Sequence, residues 1–356
     1  MKKLLLAFVC LFALASLVAC GNDKTNETEK EYKLGMGIVV STASSENAKT
    51  AQIDATVAAV VVENGKIVAC RLDAVQNKIA VSAKGALTVP AAFKTKMELG
   101  DDYNMAKYGQ SMDWNKDGVV KEWYDQAKAF EAHVVGKTAQ EVKDMPTQVV
   151  EGAGYIISAE ESLLAAGCTI QITDFKEAVA KACEDAQGVT FKTSKTFTLG
   201  VAADSFNDGS KDATAEAAGA VQVYSDFAAS VVVDGKIVAS LNDAIQPKFA
   251  VSTTGELTAT YVATKRELKE DYNMAKYGAS MDWNKDGVVK EWYLQSAEFS
   301  KYVVGKTAQE VLDMPTQVVE GAGYVISAEE ALLTAGCTIQ ITSIKTVVAE
   351  SVNNAR

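Results

Sequence analysis

The chain has 356 residues, of which 48% are hydrophobic and 23% are charged, and its formal net charge is −11. This length accommodates one large domain or two ordinary ones, and the composition is that of a globular protein. The acidic balance disfavours nucleic acid and anionic lipid headgroups as direct partners.

The first predicted element is an export leader. Two lysines precede an apolar run over Leu4–Val18, which has the length of a signal-peptide core and is short for a membrane-spanning helix. The run ends in Leu-Val-Ala-Cys-Gly, which resembles the lipobox of bacterial lipoproteins. The resemblance implies a signal peptide over residues 1–19, a lipid on Cys20 and a tether over residues 20–31. The alternative is an uncleaved membrane anchor, and either arrangement places the remainder on the extracytoplasmic face of the cell membrane.

The rest of the chain is a tandem repeat. The segment Tyr103–Tyr124 recurs at Tyr272–Tyr293 with a single difference, Gln110 against Ala279. A period this long indicates two domains rather than a solenoid of short units. We expect copy one to span residues 32–187 and copy two to span residues 189–356, with whatever function exists shared by both.

Each copy begins with strand-like patterns. In copy one an apolar run over Ala55–Val62 is separated from Ile67–Cys70 by Asn64-Gly65, which favours a tight hairpin, and copy two has Asp234-Gly235 at the same place. A second hairpin is predicted over residues 79–88, around a Lys-Gly pair.

Helical patterns follow the strands. Residues 122–133 place Trp123, Ala127 and Phe130 on one face, and residues 174–186 form a second amphipathic pattern. Capping boxes predict further helix starts at Thr138/Glu141 and Ser158/Glu161, and again at Thr307/Glu310 and Ser327/Glu330. We therefore expect an α+β fold, with two tandem copies of a curved antiparallel sheet flanked by helices.

Histidine and cysteine do not indicate a shared reactive centre. His133 is the only histidine and its counterpart is Tyr302, which argues against a common histidine triad, base or metal site. We expect His133 to be a partly exposed helix residue. Only Cys168 and Cys337 correspond between the copies, so the cysteines predict buried thiols rather than a disulfide framework.

An aspartate-rich loop in each copy matches the first half of an EF-hand calcium loop. The candidate oxygen ligands are Asp113, Asn115, Asp117 and the Val119 carbonyl in copy one, and Asp282, Asn284, Asp286 and the Val288 carbonyl in copy two. Tyr124 stands where the bidentate glutamate belongs, and Glu122 lies two residues before it. The loop predicts a structural calcium site, and the alternative is an Asx-rich turn that caps the next helix.

Several motifs keep one order in both copies. In copy one they are Gly-Lys-Ile-Val at 65–68, Asp-Ala-Val at 73–75, Tyr-Asn-Met at 103–105, Glu-Trp-Tyr at 122–124, and Ala-Gly-Cys-Thr at 166–169 with Phe175 after it. This order resembles the FMN-binding domain of bacterial extracytoplasmic flavoproteins, a family that includes lipoproteins with two such domains. The resemblance implies FMN on the threonine of a Ser-Gly-Ala-Thr motif. The matching candidates here are Gly167 and Thr169, and Gly336 and Thr338.

The attachment motif departs from the family pattern. Leu163 and Leu332 stand where the family has an acidic residue used in flavin attachment, and Ala-Gly-Cys-Thr replaces Ser-Gly-Ala-Thr. Covalent flavin, non-covalent flavin, another planar ligand and lost binding therefore remain open. A glycine before a threonine at a helix end can expose backbone amides to a phosphate. The alternative is a glycine helix cap followed by a strand over Thr169–Ile172.

Two functions follow from these patterns. The first is a surface lipoprotein that carries electrons on one flavin per domain and serves other extracytoplasmic redox proteins, without turning over a substrate of its own. The second is a non-redox, calcium-stabilised binding or structural lipoprotein. No G-x-S-x-G, histidine-rich or paired-carboxylate pattern indicates a hydrolase.

Overall fold

The computed structural model describes residues 28–110, 120–152, 154–185, 188–280, 289–321 and 323–356. Within these ranges helices and antiparallel strands are both abundant, so the α+β class predicted from the sequence is confirmed. No helix among the described residues is long and apolar enough to cross a membrane.

Copy one contributes six strands and six helices within the described ranges. The strands are β1 (Lys30–Ser41), β2 (Thr50–Glu63), β3 (Lys66–Val81), β4 (Leu87–Thr88), β5 (Thr147–Val149) and β6 (Ile156–Ser158). The helices are α1 (Lys96–Leu99), α2 (Met105–Gln110), α3 (Trp123–Val134), α4 (Ala139–Lys143), α5 (Glu161–Ala165) and α6 (Thr173–Glu184).

Copy two follows the same order after a linking strand. The strands are β7 (Val189–Thr193), β8 (Thr198–Asn207), β9 (Gly219–Val233), β10 (Lys236–Ile245), β11 (Lys248–Val251), β12 (Leu257–Thr260), β13 (Thr316–Val318) and β14 (Val325–Ser327). The helices are α7 (Lys265–Leu268), α8 (Met274–Ala279), α9 (Trp292–Tyr302), α10 (Ala308–Leu312), α11 (Glu330–Thr334) and α12 (Thr342–Asn353).

Each copy is built on one antiparallel sheet. The first has the order β4-β3-β2-β1-β7, so the strand that leads into copy two pairs with the first strand of copy one. In the second sheet β9 pairs with β8 on one side and with β10 and β11 on the other. Pro247 separates β10 from β11 where β3 runs unbroken, because proline has no amide to donate to the ladder.

Most of the predicted local structure is confirmed. Asn64 and Gly65 both have positive φ, 51° and 79°, as a two-residue hairpin turn requires. Thr138 and Glu141 form the predicted capping box of α4. The capping box predicted at Ser158 is wrong, because Ser158 is fully buried at the end of β6 and α5 begins only at Glu161.

The two copies face each other through equivalent contacts. The Ala48 amide donates to the Gly255 carbonyl (2.8 Å), and its counterpart, the Ala213 amide, donates to the Gly85 carbonyl (3.0 Å). A second matched pair joins the Leu87 amide to Asp212 and the Leu257 amide to Asn47. Such reciprocal contacts are those of an interface with twofold symmetry, here within one chain.

Three apolar cores give the chain four layers. The central core lies between the two sheets and contains side chains of both copies, among them Leu34, Ile53, Phe227 and Phe249. Each outer core lies between one sheet and the helices of the same copy. Because both faces of β2 and β9 are covered, these strands are buried almost continuously rather than at alternate residues.

Small residues let the last helix of each copy lie directly on its sheet. A Cβ atom at Gly35 in β1 would collide with the Ala182 carbonyl oxygen in α6. The counterpart Gly200 in β8 stands in the same relation to the Ser351 carbonyl oxygen in α12. The close approach fixes α6 and α12, and with them the loops that precede both helices.

Candidate functional site

The loops that contain the flavin-candidate threonines have the same construction in both copies. Gly167 ends α5 with a φ of 83°, and Gly336 ends α11 with a φ of 76°, as glycine helix caps commonly do. Cys168 and Cys337 follow and are fully buried, as predicted for these thiols. The strand expected after the glycine is wrong, because residues 168–172 form an irregular segment that leads into α6.

A buried glutamine occupies the amides of this loop. Gln126 of α3 accepts hydrogen bonds at Oε1 from the Thr169 amide (2.8 Å) and the Ile170 amide (3.0 Å), and its Nε2 donates to the Lys121 carbonyl (2.7 Å). The counterpart Gln295 accepts from the Thr338 amide at 2.7 Å. Sequence reasoning missed both glutamines, because a polar residue on an amphipathic helix resembles any solvent-facing position.

The threonine hydroxyls are drawn toward the same glutamines. Thr169 Oγ1 lies 3.5 Å from Gln126 Oε1, and Thr338 Oγ1 lies 3.3 Å from Gln295 Oε1. Both threonines are partly buried. A lysine ammonium group donates to a carbonyl at the end of the preceding helix in each copy. Lys121 donates to the Ala166 carbonyl at 2.8 Å, and Lys290 donates to the Ala335 carbonyl at 2.7 Å.

These residues do not fit a phosphate cradle. The loop amides that would receive the phosphate are already bonded to Gln126 and Gln295. Leu163 and Leu332 are fully buried in the outer cores and supply no carboxylate near the threonines. A phosphate at Thr169 would have to displace a buried glutamine, whose own polar atoms would then lose their partners.

The calcium candidates lie outside the described residues. This applies to Asp113, Asn115, Asp117 and Val119, and to Asp282, Asn284, Asp286 and Val288, as it does to Cys20. Glu122, which stands close to the missing ligand position, accepts the Met105 and Ala106 amides at the start of α2. In the described part of the chain, no group of three or more His, Cys, Asp and Glu side chains is placed to hold a metal ion.

The aspartates of the Asp-Ala motif bind backbone amides and so have a structural role. Asp73 is buried and its Oδ1 accepts the Ala74 amide (2.7 Å) and the Met97 amide (3.2 Å), which ties β3 to α1. Asp243 makes the same contacts in copy two. Burial raises the pKa of Asp73 to about 7 and that of Asp243 to about 6.

Copy two contains a buried lysine that sequence reasoning missed. Lys265 is 2% exposed, donates to the Tyr224 hydroxyl at 2.6 Å, and lies 4.1 to 5.2 Å from the ring centres of Tyr224, Tyr272 and Trp292. Burial lowers the pKa of Lys265 to about 7, opposed by the charge of Asp226. Lys96 has the corresponding place in copy one but is only partly buried.

His133 is a partly exposed residue of α3, as predicted. Its Nε2 contacts the Glu160 carboxylate, and its side chain is 16% exposed. This contact joins α3 to the residue before α5 and does not place His133 against a nucleophile.

A large cleft lies elsewhere, against β3 and α3 of copy one. Its volume is about 1120 Å³, which is at the upper end for a small-molecule site. Arg71, Glu131 and Arg356 line its wall, and Tyr32 and Phe197 supply aromatic surface. Thr169 and Gly167 do not line this cleft.

Comparison with known proteins adds no relative. No family model matches the chain, and neither the curated proteins nor the solved structures include a match.

Proposed function

We propose that the chain is a lipid-anchored, extracytoplasmic binding protein that functions without a redox cofactor, its two copies forming one body. The observation that carries the proposal is the closure of both threonine loops by Gln126 and Gln295. A large cleft lies away from these loops, against β3 and α3, and residues of both copies line it. Ligand binding at one place per chain is the function this arrangement supports best.

The central core supports a binding role over a carrier role for separate domains. Both copies contribute fully buried side chains to it, such as Val57 and Phe227, so the two copies cannot swing apart without exposing them. A rigid frame of this kind suits a preformed binding site. The membrane attachment through Cys20, and calcium in the aspartate loops as a stabilising ion, remain parts of the proposal.

A second candidate is the flavin-based electron carrier. The observation that favours it is the repeated placement of Thr169 and Thr338, each partly buried and three residues after a carbonyl that accepts a hydrogen bond from a lysine ammonium group. In that case the flavin would supply the electron chemistry. The residues present would contribute the threonine hydroxyls and the positive charge of Lys121 and Lys290.

An absorbance spectrum separates the two candidates. The mature protein is purified from its native host and measured before and after denaturation and washing, and FMN is then added to the folded protein. We expect no bands near 370 and 450 nm, where oxidised flavin absorbs, and no retained FMN after gel filtration. Yellow protein that loses its colour in the Thr169→Ala, Thr338→Ala double variant would establish the flavin carrier instead.

The anchor is tested with the same protein. We expect the full chain to sediment with the membrane fraction and the Cys20→Ala variant to be released from it.

A further inference from the structure

We infer that the cleft against β3 and α3 binds a small organic anion, with the anionic group held by Arg356 and Lys128 and an apolar body against Tyr32 and Phe197. This inference rests on the proposed function, since it names the class of ligand for a binding protein. Its first support is the pair of guanidinium groups in the wall.

Two arginines share one glutamate there. Arg356 Nη2 donates to both oxygens of Glu131, at 3.0 and 2.7 Å, and Arg71 Nη1 lies 3.7 Å from the same carboxylate. The Leu72 amide also donates to Glu131, at 2.9 Å. The buried Glu131 carboxylate thus holds both guanidinium groups at the wall of the cleft.

The arginines differ in their access to the cleft. Arg71 is 17% exposed, its Nη1 and Nη2 donate to the Cys70 and Arg356 carbonyls, and its Nε is buried without an acceptor among the described residues. Arg356 is 43% exposed, and Nη2 is the one atom of its guanidinium engaged by a described side chain. Arg71 therefore positions Arg356, which presents its remaining donors to the cleft.

Lysines extend the positive surface along the rim. Lys128 lies over the Tyr124 ring at 4.8 Å and has no ion-pair partner in the described part of the chain. Lys30 and Lys195 also line the cleft, but they are paired with Glu63 and Asp234. Lys128 is thus the uncompensated cation of the rim, and it stands out in a chain whose net charge is −11.

The apolar part of the cleft lies beside these cations. The rings of Tyr32 and Phe197 meet edge to face with centres 5.1 Å apart, and Val135 lines the cleft with 48% of its surface exposed. Aromatic and aliphatic walls with a few charged groups are typical of sites for small molecules. An anion that carries an apolar body matches both parts of the surface.

The second copy supplies an internal comparison. Three charged wall residues of copy one have uncharged counterparts in copy two: Leu241 matches Arg71, Ser300 matches Glu131, and Ala297 matches Lys128. The two copies are otherwise nearly identical on α3 and α9 at their first turns. The charges at these three positions occur in copy one alone, and the inference therefore predicts one site per chain.

The test uses 8-anilinonaphthalene-1-sulfonate, an aromatic sulfonate whose fluorescence rises in apolar surroundings, on the folded mature chain. We expect saturable binding of one molecule per chain that weakens as sodium chloride is raised, because salt screens the charges of a partly exposed site. Octanoate and phosphatidylglycerol vesicles are then added as competitors. Displacement by octanoate alone indicates a soluble anion, and displacement by vesicles indicates a lipid headgroup as the source.

Counterpart substitutions locate the site. Lys128→Ala, Arg356→Ala and Arg71→Leu are each expected to weaken binding about fivefold or more, since each removes a charged contact or its support. Lys301→Ala removes an exposed lysine from copy two, at the position that matches Ala132, and is expected to leave binding unchanged. Lys128 is exposed and makes no ion pair with a described residue, so its variant is expected to keep the wild-type urea midpoint, whereas Arg356→Ala also removes a partner of the buried Glu131 and its midpoint is measured beside its affinity.

The inference is overturned by the absence of saturable binding, by two sites per chain, or by unchanged affinity in the Lys128 and Arg356 variants. It is distinguishable from the proposed function, because a yellow protein with an intact one-site titration would overturn the non-redox proposal alone.

Discussion

Asp226 of copy two is a buried carboxyl group with little hydrogen-bond compensation. It is 1% exposed, and neither carboxylate oxygen has a hydrogen bond of ordinary geometry. Burial raises its pKa to about 7, opposed by the Ser343 hydroxyl and the charge of Lys265, while Asp204 and Asp243 add to the rise. Its counterpart in copy one is the uncharged Thr56.

Asp226→Asn is therefore expected to stabilise the protein as pH rises. The folded pKa, about 7, exceeds the unfolded value near 4, so the wild type loses stability as pH rises from about 4 to 7 and the buried group ionises. The variant lacks this loss, and we expect a gain of about 1–3 kcal/mol at pH 8 and a smaller gain at pH 4.5, by urea unfolding.

Asp234→Asn is the matched control for this substitution. Asp234 is 67% exposed in the hairpin turn, and copy one already has asparagine at that place. Its stability should remain within about 0.5 kcal/mol of the wild type at both pH values. A gain for Asp226→Asn that is equal at pH 4.5 and 8 would contradict the assignment of the loss to ionisation of this carboxyl.

At the scale of elements, α3 and α9 organise the loops at the ends of the outer cores. Trp123 and Phe130 face the core of copy one, while Gln126, on the same helix, reaches the loop between α5 and α6. One side chain thus joins two elements that are 43 residues apart in the sequence. The same relation holds for Gln295 and Thr338.

Gln126→Ala tests this role. It leaves the partly buried amides of Thr169 and Ile170 without an acceptor, so we expect a loss of about 1–3 kcal/mol in the free energy of unfolding and faster hydrogen exchange at both amides. Gln140→Ala, which removes an exposed contact with Asp144, should change little. Slow exchange at Thr169 in the Gln126 variant would mean that another group holds the loop.

At the scale of the whole molecule, the central core makes the two copies one folding unit. Phe227 from copy two and Val57 from copy one are both fully buried in it. Neither copy covers its inner sheet face alone.

We expect calorimetry to show a single unfolding transition with equal calorimetric and van 't Hoff enthalpies. Phe227→Ala should lower the stability of the whole transition by about 3–5 kcal/mol. Two transitions, or a Phe227→Ala effect confined to one of two, would contradict the shared core.

Local signals accounted for much of the fold. The Asn64-Gly65 turn, the capping box at Thr138 and the amphipathic face with Phe130 depend on neighbours within a few residues, so the sequence predicts them. The capping box at Ser158 was wrongly predicted because the side chain is buried at the end of β6 instead of capping α5. That burial depends on the tertiary structure and not on neighbouring residues.

Long-range relations were not predictable in the same way. A long apolar strand such as β2 indicates that both faces are covered, but not that a second copy covers one of them. The cleft was also missed, because Glu131 and Arg356 meet across 225 residues and no local pattern joins them. The flavin and calcium assignments rest on motifs and stay predictions.

The reciprocal contacts between the copies have an evolutionary consequence. In a symmetric pair of identical chains, every substitution occurs on both sides of the axis at once. A charged wall would therefore be present in both halves, and both halves would have to fold with it. Joining the two halves in one polypeptide lets each side accumulate its own substitutions while the other preserves the common frame. Arg71 and its equivalent Leu241 are an example of such independent substitution. One half is able to acquire charged residues for recognition, and the other half keeps the apolar residue of the common frame.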